Sequence, residues 1–97
     1  MSIVYYDIGV TRPITPQEPL PVLPDIPRGA VVVIYGRAPI WRYGMALHYL
    51  HGSPAGAVAV YDPRLGAVIV FSHSIDYKQQ QILNIKLPEP IGEVNKK

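Results

Sequence analysis

The sequence predicts one small α/β domain, more narrowly α+β, with about five strands and one or two helices in a chain of 97 residues. Three features carry that reading. Ala30 to Tyr35 is an unbroken apolar run; two short β-rich runs flank Asp62-Pro63-Arg64-Leu65-Gly66; and between them lies a helix-like stretch opened by proline and closed by glycine.

Ser2 to Ile8 is rich in β-formers and ends at Gly9, so it reads as a first strand. Pro13 to Pro27 then holds six prolines in fifteen residues. Each proline fixes its own φ and pushes the preceding residue toward extended geometry, which excludes a long helix and leaves a polyproline-like connection lying along the surface. Arg28-Gly29 turns the chain into Ala30 to Tyr35, where three adjacent valines and an isoleucine form the pattern of a strand covered on both faces.

Gly36-Arg37-Ala38-Pro39 leads into a helix expected from about Ile40 to Leu50, with Pro39 in its first turn, where a missing N–H costs nothing. Ile40, Met45, Leu47 and Leu50 supply the expected apolar stripe, and Gly52-Ser53-Pro54 ends it. Ala57 to Tyr61 and Ala67 to Phe71 are expected to pair as a hairpin. Asp before Pro, with Gly closing, is the chemistry of a type I turn followed by a left-handed residue. Ile82 to Leu87 alternates apolar and polar residues and reads as a half-exposed last strand, followed by a disordered tail over about residues 92–97. The chain shows no internal repeat.

Composition narrows the function classes. A chain this short removes only about 60–65% of its unfolded surface on folding. With 48% hydrophobic and 16% charged residues, part of the apolar surface is expected to lie against a partner chain, in a homo-oligomer. A net charge of +2 is too small for non-specific binding to duplex DNA. The absence of cysteine excludes disulfides and thiolate metal sites, which leaves His, Asp and backbone oxygen as metal ligands and fits an intracellular, cytoplasmic protein. No apolar run approaches the roughly 20 residues that span a bilayer, and the N-terminus carries no export-signal pattern, so no membrane association is expected.

Tyr35 to Ser74 holds all three histidines, with Arg37, Arg42 and Arg64 and a single carboxylate, Asp62. So many cations around one acid suit a metal or a polyanion. Gly36, at a strand end before free helix N–H groups and beside Arg37, is suited to an anion, and equally to a tight strand-to-helix turn. His48 and His51 are three apart on the expected helix and can share an ion, although core packing is the stronger use for His48. His51, at the helix end, either ligates or caps the last carbonyls. Asp62, Arg64 and His73 also have ordinary uses as turn-former, turn tip and strand end.

Four motifs together carry more than any one. Gly36-Arg37-Ala38-Pro39-Ile40-Trp41, Leu47-His48-Tyr49-Leu50-His51-Gly52-Ser53-Pro54, Val60-Tyr61-Asp62-Pro63-Arg64-Leu65-Gly66-Ala67-Val68-Ile69-Val70 and Ser72-His73 closely resemble, in order and spacing, the type III CRISPR-associated accessory protein that forms the third family of ring nucleases. The likeness covers Val31 to Ser74. It implies a ferredoxin-like fold and a manganese-dependent phosphodiesterase that opens cyclic tetra-adenylate. It also implies dimers that sandwich the ligand between them, so that tetramers or filaments form on ligand binding. On the matching positions it implies His51 and Asp62 as metal and catalytic residues, Arg64 and His73 as further catalytic residues, and Gly36, Arg37, Ala38, Pro39, Arg64 and Ser72 as ligand contacts. Trp41 or Tyr43 can stack on adenine, with core packing the stronger use for Trp41. The same residues also admit a manganese-dependent deadenylating RNA exonuclease, or a non-catalytic sensor of cyclic oligoadenylate.

Overall fold

Parallel strands need long crossovers and antiparallel ones need only a turn, so the spacing of the β-rich runs decides the topology. The computed structural model describes residues 2–87 and contains, in order, β1 (Ile3–Asp7), β2 (Val31–Tyr35), α1 (Ile40–His51), β3 (Ala57–Asp62), β4 (Gly66–Ser72) and β5 (Ile82–Leu83). The expected tail over about residues 92–97 lies outside the described residues. The strands form one mixed sheet in the order β1-β2-β3-β4-β5. β1, β2 and β3 are parallel, joined by the proline-rich connection and by α1; β3 and β4 form the expected hairpin, and β5 adds antiparallel to β4. This is the small α+β domain the sequence predicts, one helix on a five-stranded mixed sheet, consistent with a ferredoxin-like fold.

β2 is buried on both faces, as its unbroken apolar run requires. Val32 and Ile34 join Tyr6, Ile8 and Val58 beneath Ala46 and Leu50 of α1, with Leu20, Leu23 and Ile26 of the proline-rich connection packed beside them. On the opposite face, Val31, Val33, Ala57, Ala59, Ala67 and Ile69 lie beneath Tyr77, Leu83, Ile85 and Leu87. The connection is therefore anchored, although it is neither helix nor strand. Three of its aliphatic side chains reach the core, and its prolines restrict the unfolded chain and so lower the entropy lost on ordering it.

Four expectations about local structure are corrected. Ile40 is 87% exposed and Met45 41% exposed, so neither belongs to the buried face of α1. The buried line is Arg42, Ala46 and Leu50, which recur every four residues; an apolar count passes over it because its first member is an arginine. Pro39 stands just outside the helix, in extended geometry (φ −61°, ψ 152°), and its carbonyl accepts from the Arg42 N–H at 3.0 Å. His48 is exposed and does not pack in the core. β5 ends at Leu83, where the Ile85 N–H bonds back to the Leu83 carbonyl at 3.0 Å, so Ile85 and Leu87 contribute packing but no ladder.

The loops after β1 and β2 touch backbone to backbone. The Ile8 N–H donates to the Tyr35 carbonyl at 2.9 Å and the Val10 N–H to the Arg37 carbonyl at 2.8 Å, extending the pairing past the strand ends. Gly36 sits at φ +122°, where a Cβ would run into the Gly9 nitrogen and come within 2.8 Å of Asp7 Oδ1. Gly36→Ala is expected to lower stability in urea unfolding by about 2 kcal/mol or more, since strain at such a φ adds to the collision. Gly44→Ala, at a helix position with open space around it, is expected to raise stability by about 0.5–1 kcal/mol. Equal midpoints for wild type and Gly36→Ala would contradict this packing.

Candidate functional site

Because β1, β2 and β3 are parallel, their C-terminal ends share one edge of the sheet. Register pairs Ile34 with Val60, which sets Gly36 and the residues after it level with Asp62 and the hairpin turn. There Asp62 Oδ1 accepts from the Arg64 N–H at 2.7 Å and the Leu65 N–H at 3.1 Å. Those bonds, the Arg64 N–H first, hold the Asp62 carboxyl below its ordinary value, with the Arg64 guanidinium adding to the effect. Among the described residues Oδ2 accepts no hydrogen bond. Arg64 Nε lies 3.7 Å from Oδ1 with its side chain 85% exposed, an ion pair in open solvent that leaves the guanidinium available to a ligand. Arg37 is exposed, whereas Ala38 and Pro39 are half-buried. With Asp7, Tyr35 and Gly36 they line an open groove of about 1010 Å³, closed on its far side by Val10 to Ile14 of the proline-rich connection. The Tyr43 hydroxyl donates to the Gly36 carbonyl, so Tyr43 ties helix to loop.

The other group lies at the opposite edge. α1 starts beside Pro39 and runs back along the sheet; its 12 residues cover about 18 Å and deliver His51 to the edge where β3 begins. The His73 N–H donates to the Gly56 carbonyl at 2.7 Å, one residue before β3, and fixes His73 at the same edge. The ring centres of His51 and His73 are 5.3 Å apart, with Phe71 5.0 Å from His51 and 5.5 Å from His73. Ser72 Oγ accepts from the Ser74 N–H at 3.0 Å, which braces the turn after His73. The helix end is capped by Ser53, whose Oγ donates to the Leu50 carbonyl at 2.8 Å. His51 is thereby released from capping, and its exposed imidazole has no hydrogen-bond partner among the described residues.

The structure therefore divides the expected site residues in two. Gly36, Arg37, Ala38, Pro39, Asp62 and Arg64 share the C-terminal edge of the parallel strands; His51, Ser72 and His73 share the N-terminal edge. The six residue steps from Gly56 to Asp62 amount to about 20 Å. Metal–ligand bonds are about 2.0–2.2 Å long, so His51 and Asp62 of one chain cannot hold the same ion. No group of three or more His, Cys, Asp or Glu suited to an ion occurs among the described residues. His51 and His73 alone are close enough for both imidazoles to reach one ion, since two imidazoles bound tetrahedrally have ring centres about 5 Å apart. Phe71 is a member of the histidine group that the sequence reading passed over. Alternation from Ala67 and Ile69 would have put it on the face away from α1, and the bulge in the β3–β4 pairing between Val58 and Ala59 turns it to the α1 face instead.

Residues 8–84 match the family described as CRISPR-associated protein (Cas_csx3). The chain is also 45% identical over 53 residues to an uncharacterized protein of Aquifex aeolicus (strain VF5), a stretch that covers 54% of this chain and 46% of that protein. The matched stretch thus spans about half the length of that relative.

The depressed Asp62 carboxyl has a consequence for stability. Its ionised form bonds the turn in the folded state, so its contribution is present above the ordinary value of 3.8 and is lost as pH falls through the lower folded value. Asp62→Ala is expected to melt below wild type at neutral pH, with the gap narrowing as pH drops below 3.8. Thermal unfolding followed across pH checks this, and a gap that stays constant would show that the carboxylate does not hold the turn.

Proposed function

Because the chain belongs to the Cas_csx3 family of CRISPR-associated proteins, we propose that it is a ring nuclease of type III CRISPR defence, a phosphodiesterase that opens cyclic tetra-adenylate to linear adenylates and so ends the antiviral signal. The observation that carries the reading is the division of the site between the two sheet edges. Arginines suited to phosphate, with a carboxylate whose second oxygen is free, stand at one edge; an exposed imidazole pair stands at the other. When two copies meet edge to edge, the imidazoles of one face the Asp62 turn of the next, and a ring of four phosphates suits such repeated half-sites.

In this reading Arg64 and Arg37 grip phosphate oxygens and offset the charge that grows at phosphorus in the transition state. Asp62, held rigid by the turn, presents its free oxygen to the ligand. His73, beside His51 and Phe71, exchanges a proton with the ribose oxygen at the bond that breaks, which leaves the His51 imidazole for an ion. Manganese is the ion the resemblance implies. Since one chain offers no joint His51–Asp62 site, its ligands would come from different copies.

Incubation with cyclic tetra-adenylate, with manganese or with a chelator, tests the proposal. Metal-dependent linear adenylates are expected. His51→Ala and Asp62→Asn are expected to slow cleavage by about 100-fold or more while retaining most of the ligand binding. Asn keeps the turn-forming oxygen, which separates loss of charge from loss of fold. Wild-type rates in both variants would refute the site, ligand that stays bound but intact would make the protein a sensor, and cleavage only of linear polyadenylate would make it an exonuclease.

A further inference from the structure

Arg42 takes no part in either edge, yet it is the only buried charged residue among those described, 5% exposed. Its Nε donates to the Ile8 carbonyl at 2.9 Å, pinning the start of α1 to the chain that leaves β1. Among the described residues its guanidinium makes no other hydrogen bond and no ion pair with a carboxylate. No buried side-chain nitrogen there is sealed without a partner, so both Nη atoms must open onto space. That space is a cavity of about 290 Å³, open to solvent, which Arg42 lines together with Gly9, Val10, Thr11, Arg12 and Glu18.

A single bond to a carbonyl can be made by a neutral donor. A guanidinium used for it brings a full charge into a largely covered place without a counter-ion of its own, while both Nη atoms stay within reach of a ligand from the solvent side. The one carboxylate that lines the cavity is already engaged. Glu18 is held by Arg12 through two bonds, Nη2 to Oε1 at 3.0 Å and Nη1 to Oε2 at 3.1 Å. The cavity thus carries two guanidinium groups against one carboxylate, and it adjoins the groove along Gly36 to Pro39, with which it shares Gly9 to Arg12.

We infer that this cavity is a second ligand site, one that takes a terminal phosphate, the phosphomonoester of a nucleotide or short oligonucleotide, between Arg42 and Arg12, and that Glu18 is the internal anion it displaces. A terminal phosphate carries close to two charges and three acceptor oxygens, which match two guanidinium groups better than the single charge of a carboxylate does. The adjoining groove is large enough for the attached nucleoside. Release of Glu18 frees Arg12, which stands within the Val10 to Ile14 wall of the groove. A closed ring of phosphodiesters has no terminal phosphate, so this site is distinct in kind from one for cyclic tetra-adenylate and does not depend on the ring-nuclease reading.

Titration of the full chain with inorganic phosphate, AMP and adenosine, followed by ¹H–¹⁵N spectra that include the Arg42 Nε–H, tests the inference. Phosphate and AMP are expected to move the Arg42 Nε–H and the Val10 and Thr11 amides, whereas adenosine leaves Arg42 in place. Loss of the competing carboxylate in Glu18→Gln is expected to tighten AMP binding about tenfold, and Arg12→Gln to weaken it about tenfold. Both positions are solvent-accessible, so these variants report on the site where Arg42→Ala would also loosen the helix. An unmoved Arg42 at saturating AMP, or equal affinity in wild type and both variants, would overturn the inference.

Discussion

The parallel pairing of β2 with β3, through a crossover that consists of α1, is the constraint on which the rest of the structure depends. A helix in that position must start at the end of one strand and finish at the start of the next. Its N-terminus therefore sits beside Gly36 and its C-terminus beside Gly56, a full strand length away. The chain cannot bring His51 to Asp62 without abandoning the register that pairs Val31 with Ala57 and Ile34 with Val60. What is adjacent in the motif order is thus opposed in space, and the two halves of the chemistry face away from each other.

Burial of β2 makes that register rigid. Val31 to Ile34 are fully covered, alternately by α1 with the proline-rich connection and by the segment that follows β4. A slip of one residue would exchange the faces of all four side chains at once. Around this strand the chain closes by contacts that leave no room for variation: Gly36 against Gly9, Arg42 to the Ile8 carbonyl, the Tyr43 hydroxyl to the Gly36 carbonyl. All three join the loops that line the groove, so rigidity of the core passes directly to the edge that carries Gly36, Arg37 and Asp62.

Much of this was legible in the sequence, and the parts that were not have physical reasons. The strands, the hairpin and the position of the helix follow from apolar runs punctuated by glycine and proline, which act within a few residues. The buried face of α1 did not follow from apolar character, because Arg42 serves the core through one nitrogen while its charge faces a cavity. Ile85 and Leu87 alternate as a strand should, yet supply packing without a ladder. Among the site residues, the Asp62 turn is local and could be read directly. The pairing of His51 with His73 needs a contact across 22 positions, and the separation of His51 from Asp62 needs strand direction; neither property is carried by motif spacing.

In the proposed function a working site is shared between copies, His51 and His73 from one and Asp62 and Arg64 from another. Mixing purified His51→Ala with purified Asp62→Asn and measuring cyclic tetra-adenylate cleavage tests it most directly. Each variant retains the half that the other lacks, so the mixture should regain a substantial part of the activity that both have lost alone, with a maximum near equal proportions. A mixture that remains as inactive as its components at every ratio would contradict a shared site.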